Sequence, residues 1–489
     1  MSNNDTFNRS RLQRIARRAM LDRGLIPDFS SEVYAELDRI NGPATATDET
    51  IRDLRQLLWC SIDNDDSRDI DQLTVAEDLG EGAIRVLVAI ADVDAIAKKY
   101  SAIDDYARQN TTSVYTAAEI FPMLPEKLST DLTSLNYESD RLAIVVEMLL
   151  DANGVLTSSE IYRARVCNRA KLAYNSTAAW LDGDSLALEQ INVVNGLEAN
   201  IRLQDVAAKK LKEQRYQHGA LDFETIQARP VFEGEKIKDL KAEQSNRAKN
   251  IIEDFMIAAN GVTARYLASK NFPSLRRVVR VPKRWNRIVE LAAERRTSLP
   301  AEPDSKALEK FLLEQKKLDP LRFPDLSLSV IKLLGKGEYT VELPGHTASG
   351  HFGLAVKDYT HSTAPNRRFP DLITQRLLKA AISGHTVPYQ GDELMALARH
   401  CTKKEDDAKK VERLVEKSAA AMLLESRIGE QFEAIVTGAA DKGTWVRLLS
   451  PPVEGRLVSG FEGLDVGNRL RVQLVRTDIE RGYIDFRRA

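Results

Sequence analysis

Five aspartates lie within nine residues of this chain, and their spacing points most directly to chemistry. They are Asp63, Asp65, Asp66, Asp69 and Asp71. An apolar run at 57–59 precedes them and a strand-like segment at 84–93 follows. Carboxylates this dense beside buried strands repel one another unless cations lie between them. Hard oxygen ligands suit Mg²⁺, with Mn²⁺ as the second choice. The spacing therefore predicts a metal site for phosphoryl chemistry.

Two alternatives apply to this acidic stretch. Acidic loops are often no more than solvated surface. The oxygen-bearing side chains at positions 63, 65, 67 and 69 also have the spacing of an EF-hand calcium loop. However, Arg68 stands where that loop needs glycine, and Thr74 stands where it needs a bidentate glutamate. The two mismatches disfavour the EF-hand and leave the solvated surface as the main alternative.

A second polar stretch, at 357–376, carries two adjacent arginines. Pro365 can introduce the following helix, so Arg367 and Arg368 would lie at or near its N-terminal end. Guanidinium groups there, together with backbone N–H groups and the helix dipole, make a phosphate-binding site. An arginine pair alone is more often surface. Combined with the aspartates it indicates a site in which metals hold a phosphate and arginine offsets developing charge.

The overall composition bounds the class of protein. A length of 489 residues predicts two to four domains, and a net charge of −2 means that any nucleic-acid surface must be a local patch. Three scattered cysteines form no Cys-x-x-Cys pair, which disfavours zinc ribbons and disulfide frameworks and fits a reducing cytoplasm. No apolar run approaches membrane-spanning length and no signal peptide is evident, so we expect no membrane association.

The pattern along the chain predicts an α+β multidomain protein. Residues 1–54 read as a small helical, helix-turn-helix-like domain, and residues 55–426 mix strands and helices. The arginines of the first segment could meet phosphates, although a solvated face is slightly favoured. They are Arg9, Arg11, Arg14, Arg17 and Arg18.

Residues 427–489 predict a five-stranded OB-type barrel, because five short strands are separated by glycine-containing turns. Such barrels often bind single-stranded nucleic acid through a basic, partly aromatic face. Trp445 and Arg447 support that interpretation, and a purely structural barrel is the alternative.

Four separated blocks resemble the RNase II/RNase R family of exoribonucleases, which is defined by the RNB catalytic domain. The blocks are Ser61–Asp71, Phe121–Arg141, Ile252–Asn260 and His351–Leu372. The tail from Gly429 is similar to the S1 domain, the OB barrel that usually ends this family. The resemblance implies an RNB domain at 55–426 and an S1 domain at 427–489. It also implies a processive, hydrolytic 3′-to-5′ exoribonuclease that releases nucleoside 5′-monophosphates.

The resemblance implies roles for the residues of both polar stretches. Asp63, Asp69 and Asp71 match metal-site aspartates, and Asp71 matches the one whose loss typically abolishes cleavage. The family has a fourth aspartate directly afterwards, where this chain has Gln72. Its neutral carbonyl should hold one metal more weakly or through water. Arg367 matches the arginine that contacts the scissile phosphate.

Other matched residues imply contacts with the RNA. Tyr115 matches the tyrosine that positions the terminal nucleotide, and Phe223 matches an aromatic that stacks on terminal bases. Glu253 lies in a helix motif near the RNA 3′ end. Arg368, Trp445 and Arg447 complete the expected RNA contacts. We expect the partner to be a single-stranded RNA 3′ end and the protein to be a cytoplasmic monomer.

Several features leave room for other functions. The family usually carries two cold-shock barrels before the catalytic domain, whereas about fifty residues precede the first block here and their pattern is helical. Gln72 favours a non-catalytic RNA-binding protein with an inert RNB domain, and Asp71 and Arg367 argue against it. An endonuclease using the same metals is a second rival. A basic stretch at 276–287 either follows phosphates or pairs with distant acids.

Overall fold

A computed structural model describes most of the chain. The described residues are 8–45, 48–184, 191, 194–225, 227–243, 245–346, 350–440, 443–464 and 466–489. Within them, no helix is both long and apolar enough to cross a membrane.

Helices and strands alternate along the chain before a strand-only C-terminal region. The helices are α1 (Asn8–Asp22), α2 (Ser31–Leu37), α3 (Ala102–Asn110), α4 (Tyr174–Leu181), α5 (Leu197–Gln217), α6 (Arg247–Ser269), α7 (Trp285–Ala293), α8 (Ser305–Leu318), α9 (Phe323–Leu334), α10 (Phe369–Ile382) and α11 (Gly391–Leu424). The strands are β1 (Arg52–Asp53), β2 (Cys60–Asp63), β3 (Gln72–Gly80), β4 (Ala83–Ala91), β5 (Val114–Tyr115), β6 (Ile120–Phe121), β7 (Asp140–Leu150), β8 (Leu156–Cys167), β9 (Ala170–Ala173), β10 (Gln227–Glu233), β11 (Lys236–Glu243), β12 (Ser274–Val278), β13 (Glu338–Glu342), β14 (Gln431–Ala440), β15 (Gly443–Leu448), β16 (Glu454–Ser459), β17 (Arg469–Asp478) and β18 (Tyr483–Arg488).

A seven-stranded sheet forms the centre of the protein, in the order β1-β8-β7-β4-β3-β2-β9. Its inner strands pair antiparallel, and the pairs β1–β8 and β2–β9 are parallel. Strand β4 reads Ala-Ile-Arg-Val-Leu-Val-Ala-Ile-Ala and is buried along almost its whole length. After Arg85 the strand is an unbroken apolar run from Val86 to Ala91, which is typical of a strand covered on both faces. Helices α5 and α6 pack on this sheet and on each other.

The two N-terminal helices are present as predicted, but they bury their apolar sides in different places. Helix α1 joins a cluster with α11 and the C-terminal strands, whereas α2 joins the core around the central sheet. The helices therefore share no core of their own. Two of the α1 arginines, Arg11 and Arg18, pair with Glu480 of the barrel. The apolar spacing of α1 is explained by its packing onto α11 and the C-terminal strands.

A helical lobe, α7–α9 (residues 285–334), lies in sequence between two paired strands. Strands β12 and β13 run antiparallel, with Arg276 opposite Thr340. The lobe has its own apolar cluster, centred on residues such as Trp285, Phe311 and Phe323. It is therefore a small unit whose two chain connections are the paired strands β12 and β13.

The last sixty residues form the predicted barrel, closed in the order β14-β15-β16-β18-β17. Alternate residues of β15 point inwards, and Val446 and Leu448 are completely buried. A Cβ atom at Gly455 would lie 2.6 Å from the carbonyl oxygen of Ile484 and would overlap the Phe486 ring, so only glycine fits there. The α+β architecture and the five-stranded barrel are both confirmed.

Candidate active site

Asp71 is the most deeply buried of the predicted catalytic residues, with 1% of its surface accessible. It lies directly before β3, and its backbone oxygen accepts a hydrogen bond from the Ala91 N–H at 3.0 Å. Its Oδ1 accepts from the Asn366 N–H at 3.0 Å, and its Oδ2 accepts from Nε of Arg367 at 3.1 Å. The fold therefore brings the aspartate stretch and the arginine stretch together, as predicted.

The other two catalytic aspartates are half-buried at the same edge. Asp63 ends β2, and its Oδ1 accepts hydrogen bonds from the Asn64 N–H at 2.7 Å and the Ser67 hydroxyl at 3.0 Å. Asp69 accepts from the Tyr115 hydroxyl at 3.1 Å. The remaining members of the acidic stretch, Asp65 and Asp66, are exposed to solvent. Part of the stretch is thus surface, and part belongs to a site.

Burial and mutual repulsion disfavour full ionisation of these carboxyl groups. Burial raises the pKa of Asp71 to about 7, the charge of Arg367 opposes that rise, and Asp69 adds to it. Burial likewise raises the pKa of Asp63. A cation between them would favour the ionised forms.

The donor chemistry fits a hard divalent cation, since the predicted ligands are carboxylate and amide oxygens. Within the described part of the chain, however, no three His, Cys, Asp or Glu side chains are grouped closely enough to hold a metal ion. Both oxygens of Asp71 already accept hydrogen bonds. A cation held by Asp63, Asp69 and Asp71 together therefore requires some of these side chains to turn.

Gln72 occupies the first position of β3, where its backbone pairs with Ile90. It is 7% accessible. Among the described residues its amide group has no hydrogen-bond partner, whereas each of the three aspartates has at least one. The residue that replaces the family's fourth aspartate therefore lies beside Asp71 in sequence and is largely buried.

The two arginines before α10 have different surroundings. Arg367 uses Nε for Asp71 and keeps 42% of its side chain accessible. Its terminal nitrogens donate no hydrogen bond within the described residues and can therefore meet a phosphate. Arg368 instead turns to Asp371, at 2.7 Å, and to the Thr363 hydroxyl at 3.4 Å. The structure thus gives Arg368, predicted to bind RNA, a partner inside the protein.

Tyr115 connects the acidic group to the long helix α11. Its hydroxyl donates to Asp69, and its backbone N–H donates to Oε1 of Glu412 at 2.9 Å. The side chain remains 39% accessible. The predicted nucleotide-positioning tyrosine therefore contacts Asp69, one of the predicted metal ligands.

Phe223 and Glu253 lie outside this hydrogen-bonded group. Phe223 is half-buried against the apolar cluster of the helical lobe. Glu253 is exposed on α6, next to Asp254, which pairs with Arg215. Within the described residues neither forms a hydrogen bond or an ion pair with the three aspartates or Arg367.

On strand β15, the side chains of Trp445 and Arg447 both point away from the core of the barrel. Trp445 is half-buried beside Gly438, its neighbour on β14. Arg447 donates to both carboxylate oxygens of Asp325, at 2.7 and 3.2 Å, and only 14% of its side chain is accessible. Arg447 therefore joins the barrel to the helical lobe and is not open for nucleic acid.

Three of the six basic residues at 276–287 pair with distant acids. Arg276 pairs with Glu342 at 2.5 Å, Arg277 pairs with Glu405 at 2.6 Å, and Arg280 pairs with Glu338. These contacts favour the paired alternative for that part of the stretch, and the phosphate track stays a prediction for the rest.

Three residues of the site were not singled out from the sequence. Tyr174 begins α4, and burial raises its pKa, with Asp63 adding to the rise and Arg367 opposing it. The phenol therefore lies near both groups. Asn366 contributes a backbone N–H, which no residue type reveals, and Glu412 is one acid among many on α11. Only Tyr174, an aromatic at a strand-to-helix junction, left a sequence signal.

Comparison with known proteins assigns this arrangement to a family. The RNB domain model matches residues 51–384, and the model of the RNase II-type exonuclease C-terminal S1 domain matches residues 430–489. The predicted domain ranges, 55–426 and 427–489, remain predictions at their boundaries.

Two curated relatives and one solved structure show how far the likeness extends. Ribonuclease R of Vibrio parahaemolyticus is 30% identical over 423 residues, covering 82% of this chain and 49% of that protein. Ribonuclease R of Escherichia coli is 32% identical over 470 residues, covering 89% and 57%. The chain thus spans about half the length of these relatives.

The solved structure is Mycoplasma genitalium RNase R in complex with ribose methylated single-stranded RNA. It superposes with a TM-score of 0.87 at 21% identity, covering 100% of this chain and 79% of that one, and it shows the shared fold. The matched domain spans more than half of the residues, and its first and fourth sequence blocks meet in the contact between Asp71 and Arg367. The chain belongs to the RNB domain family.

Proposed function

We propose that this protein is a processive, hydrolytic 3′-to-5′ exoribonuclease that degrades RNA to nucleoside 5′-monophosphates. The observation that carries the proposal is the contact between Asp71 and Arg367, which unites the acidic and cationic halves of a phosphodiester site. The match to the RNB domain and the likeness to proteins named Ribonuclease R support the same activity. Metal-dependent hydrolysis is the chemistry of that family.

Asp63, Asp69 and Asp71 would hold Mg²⁺, or Mn²⁺ as the second choice, with the Gln72 carbonyl beside them. The bound ion would supply an activated water and neutralise charge on the scissile phosphate. The protein's own contribution is orientation. Asp71 holds Nε of Arg367, so that the outer guanidinium nitrogens face the accessible side, where they can stabilise charge that develops on the phosphate.

The RNA grip would come from aromatic side chains that stack on the last bases. Tyr115 is accessible while its hydroxyl is anchored on Asp69, so its ring has a defined position beside the catalytic group. Phe223 would provide a second stacking surface, and Glu253 would lie near the 3′ end. Trp445 is the aromatic on the barrel that supports single-strand binding.

The partner is a single-stranded RNA 3′ end, and the proposed form is a monomer in the cytoplasm. All three cysteines are free thiols and buried, which supports a reducing compartment. Because Arg368 and Arg447 are held by Asp371 and Asp325, we assign them to shaping the site and joining domains rather than to direct RNA contact.

A time course with 5′-labelled RNA carrying an unstructured 3′ tail tests the proposal. Wild type and Asp71→Asn are incubated with Mg²⁺, then with Mn²⁺, and the products are resolved by length. Conversion of full-length RNA to an end product of a few nucleotides, lost in Asp71→Asn, supports the exonuclease. Discrete internal fragments would indicate an endonuclease instead. RNA that stays intact with both proteins and both metals would indicate the non-catalytic binding protein, with Gln72 as its mark.

A further inference from the structure

One lysine of the helical lobe bridges the two residues that flank Phe223. Lys316, on α8, places its Nζ 3.1 Å from Oδ2 of Asp222 and 2.6 Å from Oε1 of Glu224. The aromatic side chain between these acids carries no charge and no hydrogen-bonding group. Lys316 therefore links the side chains of the two residues on either side of the ring.

Further contacts tie the same segment to its surroundings. The Leu221 N–H donates to the Gly353 carbonyl at 2.9 Å, and the Glu224 N–H donates to the Ser327 hydroxyl at 3.3 Å. Leu221 is buried in the cluster of the lobe, and Phe223 packs against that cluster. The segment 221–225 has no helix or strand of its own. Its course is therefore set by these contacts with the lobe and with residue 353.

The bridge lies at a partly open surface. The side chain of Lys316 is 34% accessible, and those of Asp222 and Glu224 are 27% and 44% accessible. Burial works to lower the pKa of Lys316, but the two carboxylates outweigh it and the pKa is raised. Ion pairs this exposed add little to the stability of a fold. We therefore expect these two ion pairs to affect the position of Phe223, which lies between the two acids.

We propose that Lys316 is a positioning residue that holds the Phe223 ring where it meets the last bases of the RNA. The proposal rests on the proposed function, in which Phe223 stacks on those bases. A ring ordered before binding loses less conformational freedom when RNA arrives, and stacking then contributes more to affinity. The helical lobe thereby becomes part of the RNA-binding apparatus through Lys316 and Ser327.

The test measures KM on a short single-stranded RNA and kcat on a long one, together with the length of the final product. Lys316→Met removes the charge at nearly constant length. We expect its KM to rise about tenfold, the equivalent of weakening one base stack, with kcat on a long RNA within about twofold of wild type. The final product becomes longer, because short RNA is released earlier. Lys316→Arg restores the bridge and wild-type values.

Two further variants separate positioning from direct phosphate binding. Lys317→Met changes an exposed neighbour on α8 and leaves all values at the wild-type level. The double variant Asp222→Asn with Glu224→Gln removes the bridge while keeping the lysine. We expect it to reproduce the Lys316→Met values. Tighter RNA binding by the double variant would mean that Lys316 is a phosphate ligand, and would overturn the positioning role.

Phe223→Ala links the measurement to the proposed function. If wild type releases no nucleotides, the proposed function itself fails. If wild type is active and Phe223→Ala raises KM while Lys316→Met does not, only the role of Lys316 fails. If Phe223→Ala matches wild type, the ring makes no stacking contact and the positioning role is overturned as well.

Discussion

The Nε atom of Arg367 lies 3.1 Å from Oδ2 of Asp71, although the two residues are 296 positions apart in the chain. The backbone N–H of the preceding residue, Asn366, donates to the other carboxylate oxygen of Asp71 at 3.0 Å. Two adjacent residues of one loop thus hold both oxygens of one buried aspartate. This bidentate grip sets the loop before α10 against the start of β3, and it places a partly accessible guanidinium group beside three carboxyl groups.

Replacing Asp71 with asparagine should abolish hydrolysis while keeping the fold. We expect nucleotide release to fall at least about a thousandfold, because several kcal/mol of metal-borne charge stabilisation is lost. The amide oxygen can still accept from the Asn366 N–H, but the amide NH₂ group cannot accept from Nε of Arg367. Removal of a buried carboxylate beside Asp69 offsets that loss, so thermal unfolding should occur at about the same temperature. A large fall in melting temperature would show that Asp71 is chiefly structural.

Replacing Arg367 with alanine should slow catalysis by about 10²- to 10³-fold, since one donor to the developing phosphate charge is lost. Lysine at the same position should recover only part of the rate, because an ammonium group cannot both hold Asp71 and present two outer nitrogens. Single-turnover rates on a labelled RNA measure both effects. Arg399→Ala, which changes an exposed arginine on α11, is the matched control. Equal rates for the two alanine variants would exclude Arg367 from the reaction.

Changing Gln72 to aspartate should strengthen metal binding, because it adds one charged oxygen ligand beside Asp71. We expect the Mg²⁺ concentration for half-maximal activity to fall about tenfold. Gln72→Asn keeps the neutral amide and serves as the control for side-chain size. A titration of activity against Mg²⁺ distinguishes them. An unchanged midpoint in Gln72→Asp would place this residue outside the metal site.

Removing the arginine that joins the barrel to the lobe should destabilise the protein. Arg447→Ala leaves Asp325, whose side chain is 2% accessible, without its partner. Loss of one member of a buried pair costs about 3 kcal/mol. Calorimetry should show the first unfolding transition at a lower temperature than in wild type. Arg471→Ala, which breaks an exposed pair with Glu433, should leave that transition in place. An equal response in both variants would mean that the Asp325 pair contributes no more than a surface pair.

Acidification should destabilise the fold through His351. Burial, together with the nearby charge of Arg277, lowers the pKa of this histidine to about 4. In the unfolded chain the histidine binds its proton near pH 6.5. The stability that neutral His351 contributes to the fold is therefore complete above that pH, and it is lost as the pH falls from 6.5 towards 4. The shift corresponds to about 3 kcal/mol.

Melting temperatures across this pH range measure the effect. His351→Asn retains an acceptor for the Leu354 N–H and should flatten the pH dependence. His385→Asn, at an exposed histidine, should not change it. Parallel curves for wild type and both variants would contradict the assignment to His351.

The sequence by itself determined the parts of this protein that local patterns describe. The barrel follows from strand periodicity and glycine turns within sixty residues. The acidic stretch and the arginine pair follow from residue types that are dense enough to imply chemistry. The family resemblance followed from blocks of contiguous residues. In each case the information lies between near neighbours in the chain.

Only the tertiary structure decided which charges are available. Arg367, Arg368 and Arg447 look alike in sequence, but the structure gives them different surroundings. Arg367 contacts Asp71 at an accessible site, Arg368 pairs with Asp371, and Arg447 pairs with Asp325 of the helical lobe. Arg11 of α1 and Arg277 of β12 likewise pair with distant acids. Their partners lie up to several hundred residues away, and a charge is free or paired only after folding sets those distances. The bridge from Lys316 across Phe223 belongs to the same class, because it exists only where the lobe meets residues 222–224.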